Sequence, residues 1–197
     1  MRGEKFLTGK ERFLALDDII VSKTDLAGRI TYANRTFLTI AGMSEKECVN
    51  RPHNLIRHPN MPRCIFRQLW DTIKAGNEIF AYMVNRAMNG DHYWVYAHVT
   101  PMRDRTGAIS GFHSNRRAPD RAIVENHIVP LYTRLRQAER EPRNAKEGVE
   151  AGCRVLASVL REEGRDYDEF IMTLGQGQRR GYRTGRAAAA GQADCQA

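Results

Sequence analysis

The first part of the chain alternates short β-branched runs with turn residues. Ile19-Ile20-Val21-Ser22-Lys23-Thr24 and Arg29-Ile30-Thr31-Tyr32-Ala33 flank the turn Asp25-Leu26-Ala27-Gly28 and predict a β-hairpin. Asn34 is placed to cap a helix that ends at Gly42. Ser44, with Glu47 three positions on, reads as a capping box for another short helix. Three prolines within 51–62 exclude a long helix there. Ile65, Phe66, Leu69, Trp70 and Ile73 then recur at helical spacing up to Gly76. Extended segments at about 79–88 and 93–103 meet at Asn89-Gly90-Asp91, a strong hairpin signal, and Arg105-Thr106-Gly107 turns the chain into a last strand, 108–116.

Two strands, a series of helices and three more strands predict an α+β fold. Its five-stranded antiparallel sheet carries short helices on one face. After Ala118 the period changes. Ile123, Val124, Ile128, Leu131 and Leu135 form the stripe of an amphipathic helix, with a kink expected near Pro130. A second helical region, 145–174, is interrupted at Gly164 and carries Val155, Leu156, Val159 and Leu160 as its own stripe. The expected organisation is an N-terminal cap or helix at 1–17, the α+β unit at 18–117, C-terminal helices at 118–175 and a disordered tail at 176–197, whose Gly, Arg, Gln and Ala have almost nothing to bury.

The 197 residues suffice for one ordinary domain with an appendage. A net charge of +8 fits either an anionic partner or a solvated, arginine-rich surface. No helix-turn-helix, RNP-type or zinc-finger spacing supports nucleic acid. Cys48, Cys64, Cys153 and Cys195 contain no C-x-x-C pair, so neither a zinc site nor a thioredoxin-like site is expected. Without a signal peptide they read as reduced thiols in the cytoplasm. No run approaches the ~18 apolar residues of a membrane span. The chain has no nucleophile elbow, H-E-x-x-H, P-loop or G-x-G-x-x-G, and no enzymatic activity is expected.

Candidate binding residues cluster in three places. Arg57 and His58 lie in the proline-rich segment; Arg57 either forks onto a diphosphate or pairs with a surface acid, and His58 either meets a ligand or packs the loop. Asn85 falls on the inward alternation of its strand, where an amide requires partners. On the next strand Tyr93, Val95, Ala97 and Val99 face inward, Ala97 leaving room for a ring. Trp94 and Tyr96 then face outward, to be covered by flanking helices or by a second subunit. Phe66 and Trp70 are either plain core or a cofactor wall.

Five segments carry a resemblance: Ile30-Thr31-Tyr32-Ala33-Asn34, Pro52-His53-Asn54-Leu55-Ile56-Arg57-His58-Pro59-Asn60-Met61-Pro62, Asn89-Gly90-Asp91-His92-Tyr93-Trp94-Val95, Ile109-Ser110-Gly111-Phe112 and Pro130-Leu131-Tyr132. Over about 15–138 they resemble the PAS sensor domain of bacterial aerotaxis receptors. The resemblance implies non-covalent FAD and a report of its redox state, with Asn34, Arg57, His58, Phe66, Trp70 and Asn85 matching positions that hold or support the flavin. In the light-sensing LOV relatives an Asn five residues before the hairpin Gly contacts flavin, as Asn85 stands before Gly90. His53 stands where those domains carry their photoreactive Cys, so no cysteinyl-flavin photocycle is expected. Asn60 replaces an acid usual in the family. The receptor's membrane anchor and signalling coiled coil have no counterpart here. The message is therefore expected to pass in trans to a chemoreceptor, that is a methyl-accepting chemotaxis protein, or to a histidine kinase, from a homodimer built on the C-terminal helices. The alternatives are a haem- or small-molecule-binding PAS sensor and a cofactor-free interaction module.

Overall fold

The structure, a computed structural model, describes residues 6–175. The expected tail, 176–197, lies outside the described residues. Five strands, β1 (Ile20–Thr24), β2 (Ile30–Ala33), β3 (Ile79–Arg86), β4 (His92–Arg103) and β5 (Ile109–Arg117), form one antiparallel sheet in the order β2-β1-β5-β4-β3. Between β2 and β3 run helices α1 (Arg35–Ala41), α2 (Glu45–Cys48) and α3 (Arg63–Lys74), with a single 3-10 turn at His53–Ile56. The fold is the α+β sheet-and-helix layer that the strand order predicts.

Local chemistry explains the element ends. Gly42 closes α1 in the left-handed conformation at φ 68°, and Ser44 with Glu47 makes a full capping box on α2. Asn34 does more than cap. Its Oδ1 accepts from Phe37 N–H and from Val21 N–H, both at 3.0 Å, while its Nδ2 donates to the Ile19 carbonyl at 2.7 Å. One amide thus ties the start of α1 to the start of β1.

The sheet's inner face is set by register. Ile20 pairs with Arg116, Arg116 with Ala97 and Ala97 with Ala81, while Ser22 pairs with Ser114 and Asn85 with Tyr93. Small alanines on the neighbouring strands β3 and β4 leave space above the sheet that α3 roofs over. The outer face carries an aromatic ladder: Phe80 stacks on His98 at 4.2 Å and Tyr82 tilts against Tyr96 at 4.9 Å.

The C-terminal helices cover part of that ladder. They comprise α4 (Arg121–Ile123), a π-helical turn at Val124–Ile128, α5 (Val129–Arg140), α6 (Ala145–Glu163) and α7 (Tyr167–Thr173). The irregularity foreseen at Pro130 lies just before it, because a proline in the first turn of α5 needs no intrahelical N–H partner and the preceding π turn resets the register. Tyr132 packs on Trp94 and its hydroxyl donates to the Tyr82 carbonyl, so this chain's own helix covers the outward tryptophan. Gly164 ends α6 at φ 65°, at the interruption read from the sequence. Over the described residues 6–17 the N-terminal stretch is an arm without a helix; it is hooked to the β3–β4 hairpin by Arg12 on Asp91 (2.9 Å) and to α4 by Glu11, which accepts two hydrogen bonds from Arg121 (2.6 and 3.1 Å). No helix among the described residues is long and apolar enough to cross a membrane.

Asn34→Ala removes two acceptor contacts and one donor contact from a β1–α1 joint, and is expected to cost about 1–3 kcal/mol of folding stability. Urea denaturation measures it; an unchanged midpoint would show that the joint holds without its amide.

Candidate functional site

Above the inner face lies a cavity of about 540 Å³, floored by β1, β3, β4 and β5 and roofed by α3 and the 51–57 segment. Its walls divide by chemistry. Leu69, Ile73, Met83, Val99 and Phe112 are apolar, whereas Ser22, His53, Asn85, Ser114 and Arg116 bring polar groups to the floor. Trp70 closes one side. Its ring lies edge-on to Phe112 at 5.4 Å and so close over the β1–β2 turn that a Cβ on Gly28 would stand 3.0 Å from it. Two cations flank the roof: the Arg57 guanidinium sits 4.5 Å from the Phe66 ring centre, and Lys74 sits 5.4 Å from that of Trp70.

Arg116 is the chemical centre of the floor. It is buried, and among the described residues no carboxylate pairs with it. Its Nη2 donates to His53 Nε2 at 2.7 Å and to Ser22 Oγ at 3.1 Å, and its flank lies over the Phe37 ring at 5.8 Å. A guanidinium has no acceptor, so His53 Nε2 must accept and the ring proton sits on Nδ1. Burial first, and the Arg116 charge second, pull the His53 pKa down to about 3, which keeps the imidazole neutral. Burial lowers Arg116 itself to about 10, still well above neutral pH, so the cation persists.

Four buried polar atoms in and under this floor lack a hydrogen-bond partner: Arg116 Nη1, Asn85 Nδ2, Ser114 Oγ and the Tyr93 hydroxyl. Each is a donor or can donate. Leaving buried donors unpaired costs roughly 1–3 kcal/mol apiece. A cavity lined this way matches a flat apolar body with an acceptor-rich, anionic or anion-forming edge.

Six of the nine residues selected from the sequence line this cavity: His53, Arg57, Phe66, Trp70, Asn85 and Ala97. Three stand off it. Asn34 spends its amide on backbone groups of β1 and α1. His58 is buried against the His92 ring at 5.6 Å, its Nδ1 accepting from Asn60 N–H. Val95 is buried in the core beside the cavity. Sequence reasoning missed Ser22, Ser114 and Arg116. The period-two alternation Phe112, Ser114, Arg116 places all three on the inward face of the last strand and was the available signal. No group of three or more metal-ligating side chains occurs among the described residues.

Comparison with known proteins places this geometry in context. The PAS fold family model matches residues 13–115. The aerotaxis receptor of Escherichia coli K12 is 42% identical over 136 residues, 68% of this chain and 26% of the receptor. The nitrogen fixation regulatory protein of Klebsiella pneumoniae is 27% identical over 99 residues, 50% of this chain and 20% of that protein. The chain thus spans about a quarter or less of the length of these relatives. Among solved structures, the light-state LOV domain of the photoreceptor Aureochrome1 superposes with a TM-score of 0.51 at 20% identity, covering 58% of this chain and 90% of that one.

His53, half-buried at the cavity, sets an acid limit. Its pKa is 6.5 unperturbed and about 3 in the fold, so between these values the unfolded chain binds the extra proton and stability falls as pH falls. Replacing it with Gln should flatten the decline of unfolding free energy below pH 6.5 by up to ~1.4 kcal/mol per pH unit. Parallel declines in wild type and His53→Gln, followed by denaturant titration, would show that another group sets the limit.

Proposed function

The chain belongs to the PAS fold family, and we propose that its cavity binds a flavin, in the form of FAD, and that the protein passes the redox state of that flavin to a separate signalling protein. The observation that carries this reading is the Arg116 guanidinium, buried without a carboxylate beside a neutral His53 and three further unpartnered buried polar groups. A flavin, when bound, accepts electrons and gains negative charge on the pyrimidine side of its ring. Arg116 favours that charge, since an unscreened buried cation interacts with an anion far more strongly than a surface one does. Asn85 Nδ2 and Ser114 Oγ offer donors to ring carbonyls and nitrogens. Trp70, Phe66 and Leu69 supply the apolar wall, and Lys74 and Arg57, the latter also donating to the Met61 carbonyl at 3.2 Å, are the cations that a diphosphate would meet at the mouth.

On this reading 18–117 is the sensor, 1–17 its cap and 118–175 the output region. The 42% identity to the aerotaxis receptor of Escherichia coli supports a place in aerotaxis or energy taxis. The partner is then a chemoreceptor, with a histidine kinase as the second choice, and the working unit a cytoplasmic homodimer. Ser22 Oγ lies 3.2 Å from His53 Nε2, but the lone pair of that nitrogen faces the Arg116 guanidinium at 2.7 Å, which makes His53 a poor base for the hydroxyl and supports sensing over catalysis. Asn60, in place of the family acid, is exposed and gives its backbone N–H to His58, outside the cavity.

The absorbance spectrum of the purified protein tests the reading. Oxidised flavin bands, and release of FAD on denaturation, are expected. A Soret band would assign the cavity to haem, and a colourless protein that takes up no added FAD would leave a cofactor-free interaction module. Arg57→Ala removes a charge-assisted contact and should weaken FAD binding about thirtyfold, from ~2 kcal/mol; full retention of flavin would remove Arg57 from the site.

A further inference from the structure

Helix α3 faces two ways. Phe66, Leu69, Trp70 and Ile73 form cavity wall, while another side packs against α6. Its N-terminus lacks the usual local cap, since Pro62 occupies the capping position without a side-chain hydrogen bond. The missing acceptor comes from 75 residues further on. Glu139, near the end of α5, accepts the Cys64 backbone N–H on Oε1 at 2.8 Å. A carboxylate at a helix N-terminus is favoured by both the orphan N–H groups and the helix dipole.

Helix α6 is built to press on this contact. A Cβ on Gly148 would stand 2.4 Å from the Glu139 carbonyl oxygen, and one on Gly152 would stand 2.9 Å from Glu139 Cγ and 3.0 Å from Cys64 Sγ. Both glycines are buried, Gly148 in the first turn of α6 and Gly152 in its interior, where the residue costs up to about 1 kcal/mol relative to alanine, so close backbone approach is their physical reason. Glu139 thus joins α3, α5 and α6 at one point. A second joint lies on the sheet: Tyr132 of α5 donates to the carbonyl of Tyr82 on β3, next to Met83 and three residues before Asn85 of the cavity wall. The C-terminal helices therefore touch the two walls, α3 and β3, that a ligand in the cavity would move.

We propose that Glu139 is a latch that holds the C-terminal helices on the sensor, and that a change in the cavity reaches those helices by shifting the α3 N-terminus against it. The hydrogen bond is directional, so a small rotation of α3 about its cavity face weakens it steeply. Release uncaps α3 and frees the glycine face of α6, two changes that reinforce each other as one switching element. The transmission step rests on the flavin reading; the latch itself does not.

Hydrogen–deuterium exchange of the full chain tests both. In Glu139→Ala, exchange of the α6 amides should rise about tenfold over wild type in the ligand-free protein. Glu139→Gln keeps an acceptor oxygen without the charge and should give a smaller rise, roughly threefold; it carries the test should the alanine variant not fold. Unchanged α6 exchange in either folded variant overturns the latch. In flavin-loaded wild type, α6 exchange should differ between the oxidised and dithionite-reduced protein, and the difference should vanish in Glu139→Ala. A difference that persists in the variant, or none in wild type, overturns the transmission. If the purified protein takes up no flavin, the ligand-free comparison of wild type with Glu139→Ala still decides the latch, so failure of the cofactor reading and failure of the latch remain distinct.

Discussion

A guanidinium buried without a carboxylate is the constraint around which this PAS domain is arranged. Burying an unpaired charge costs on the order of several kcal/mol even after relaxation. The fold meets part of that cost with neutral acceptors and a π-face: His53 Nε2, Ser22 Oγ and the Phe37 ring. Each comes from a different element, the 3-10 turn, β1 and α1, so three parts of the chain converge on one residue of β5. The alternative of pairing Arg116 with an acid would give a quieter floor and no preference for negative charge above it. The structure holds a neutral imidazole there, its pKa drawn down to about 3, so His53 does not add a second cation beside Arg116.

The same walls that enclose the cavity carry the C-terminal helices. Helix α3 faces the cavity with aromatics and offers its N-terminus to Glu139, and β3 supplies Asn85 inward and the Tyr82 carbonyl to Tyr132. The N-terminal arm adds a third tie through Glu11 and Arg121. Helices of this length are marginal alone and form by packing, so their placement depends on the PAS surface beneath them. Helices held on a domain by a few polar ties respond readily to small displacements of its surface.

Much of this was legible in the residues because local chemistry decides it. The Asn89-Gly90 hairpin, the Ser44–Glu47 capping box and the glycine ends at Gly42 and Gly164 all occur where turn and cap rules put them. The alternation on β3 and β4 located Asn85 and Ala97 on the cavity wall. Three kinds of feature were not legible. Asn34 has the pattern of a site residue, yet its amide is spent on β1 and α1, a bond network visible only once both are placed. Arg116 sits beside Arg117 in a basic stretch, and only its inward neighbours Phe112 and Ser114 mark it as floor. The Cys64–Glu139 contact joins residues 75 apart, and no local rule anticipates a capping carboxylate from another helix.

The account stands most directly on the redox midpoint of the flavin-loaded protein with and without the Arg116 charge. Arg116→Met keeps an apolar side chain of comparable reach and removes only the cation and its donors. If the buried cation favours the negative charge that reduction brings, oxidised flavin should still bind and the midpoint should fall by tens of millivolts, about 59 mV for each tenfold loss of preference in a one-electron step. An Arg116→Met protein that binds flavin with an unchanged midpoint would contradict the account.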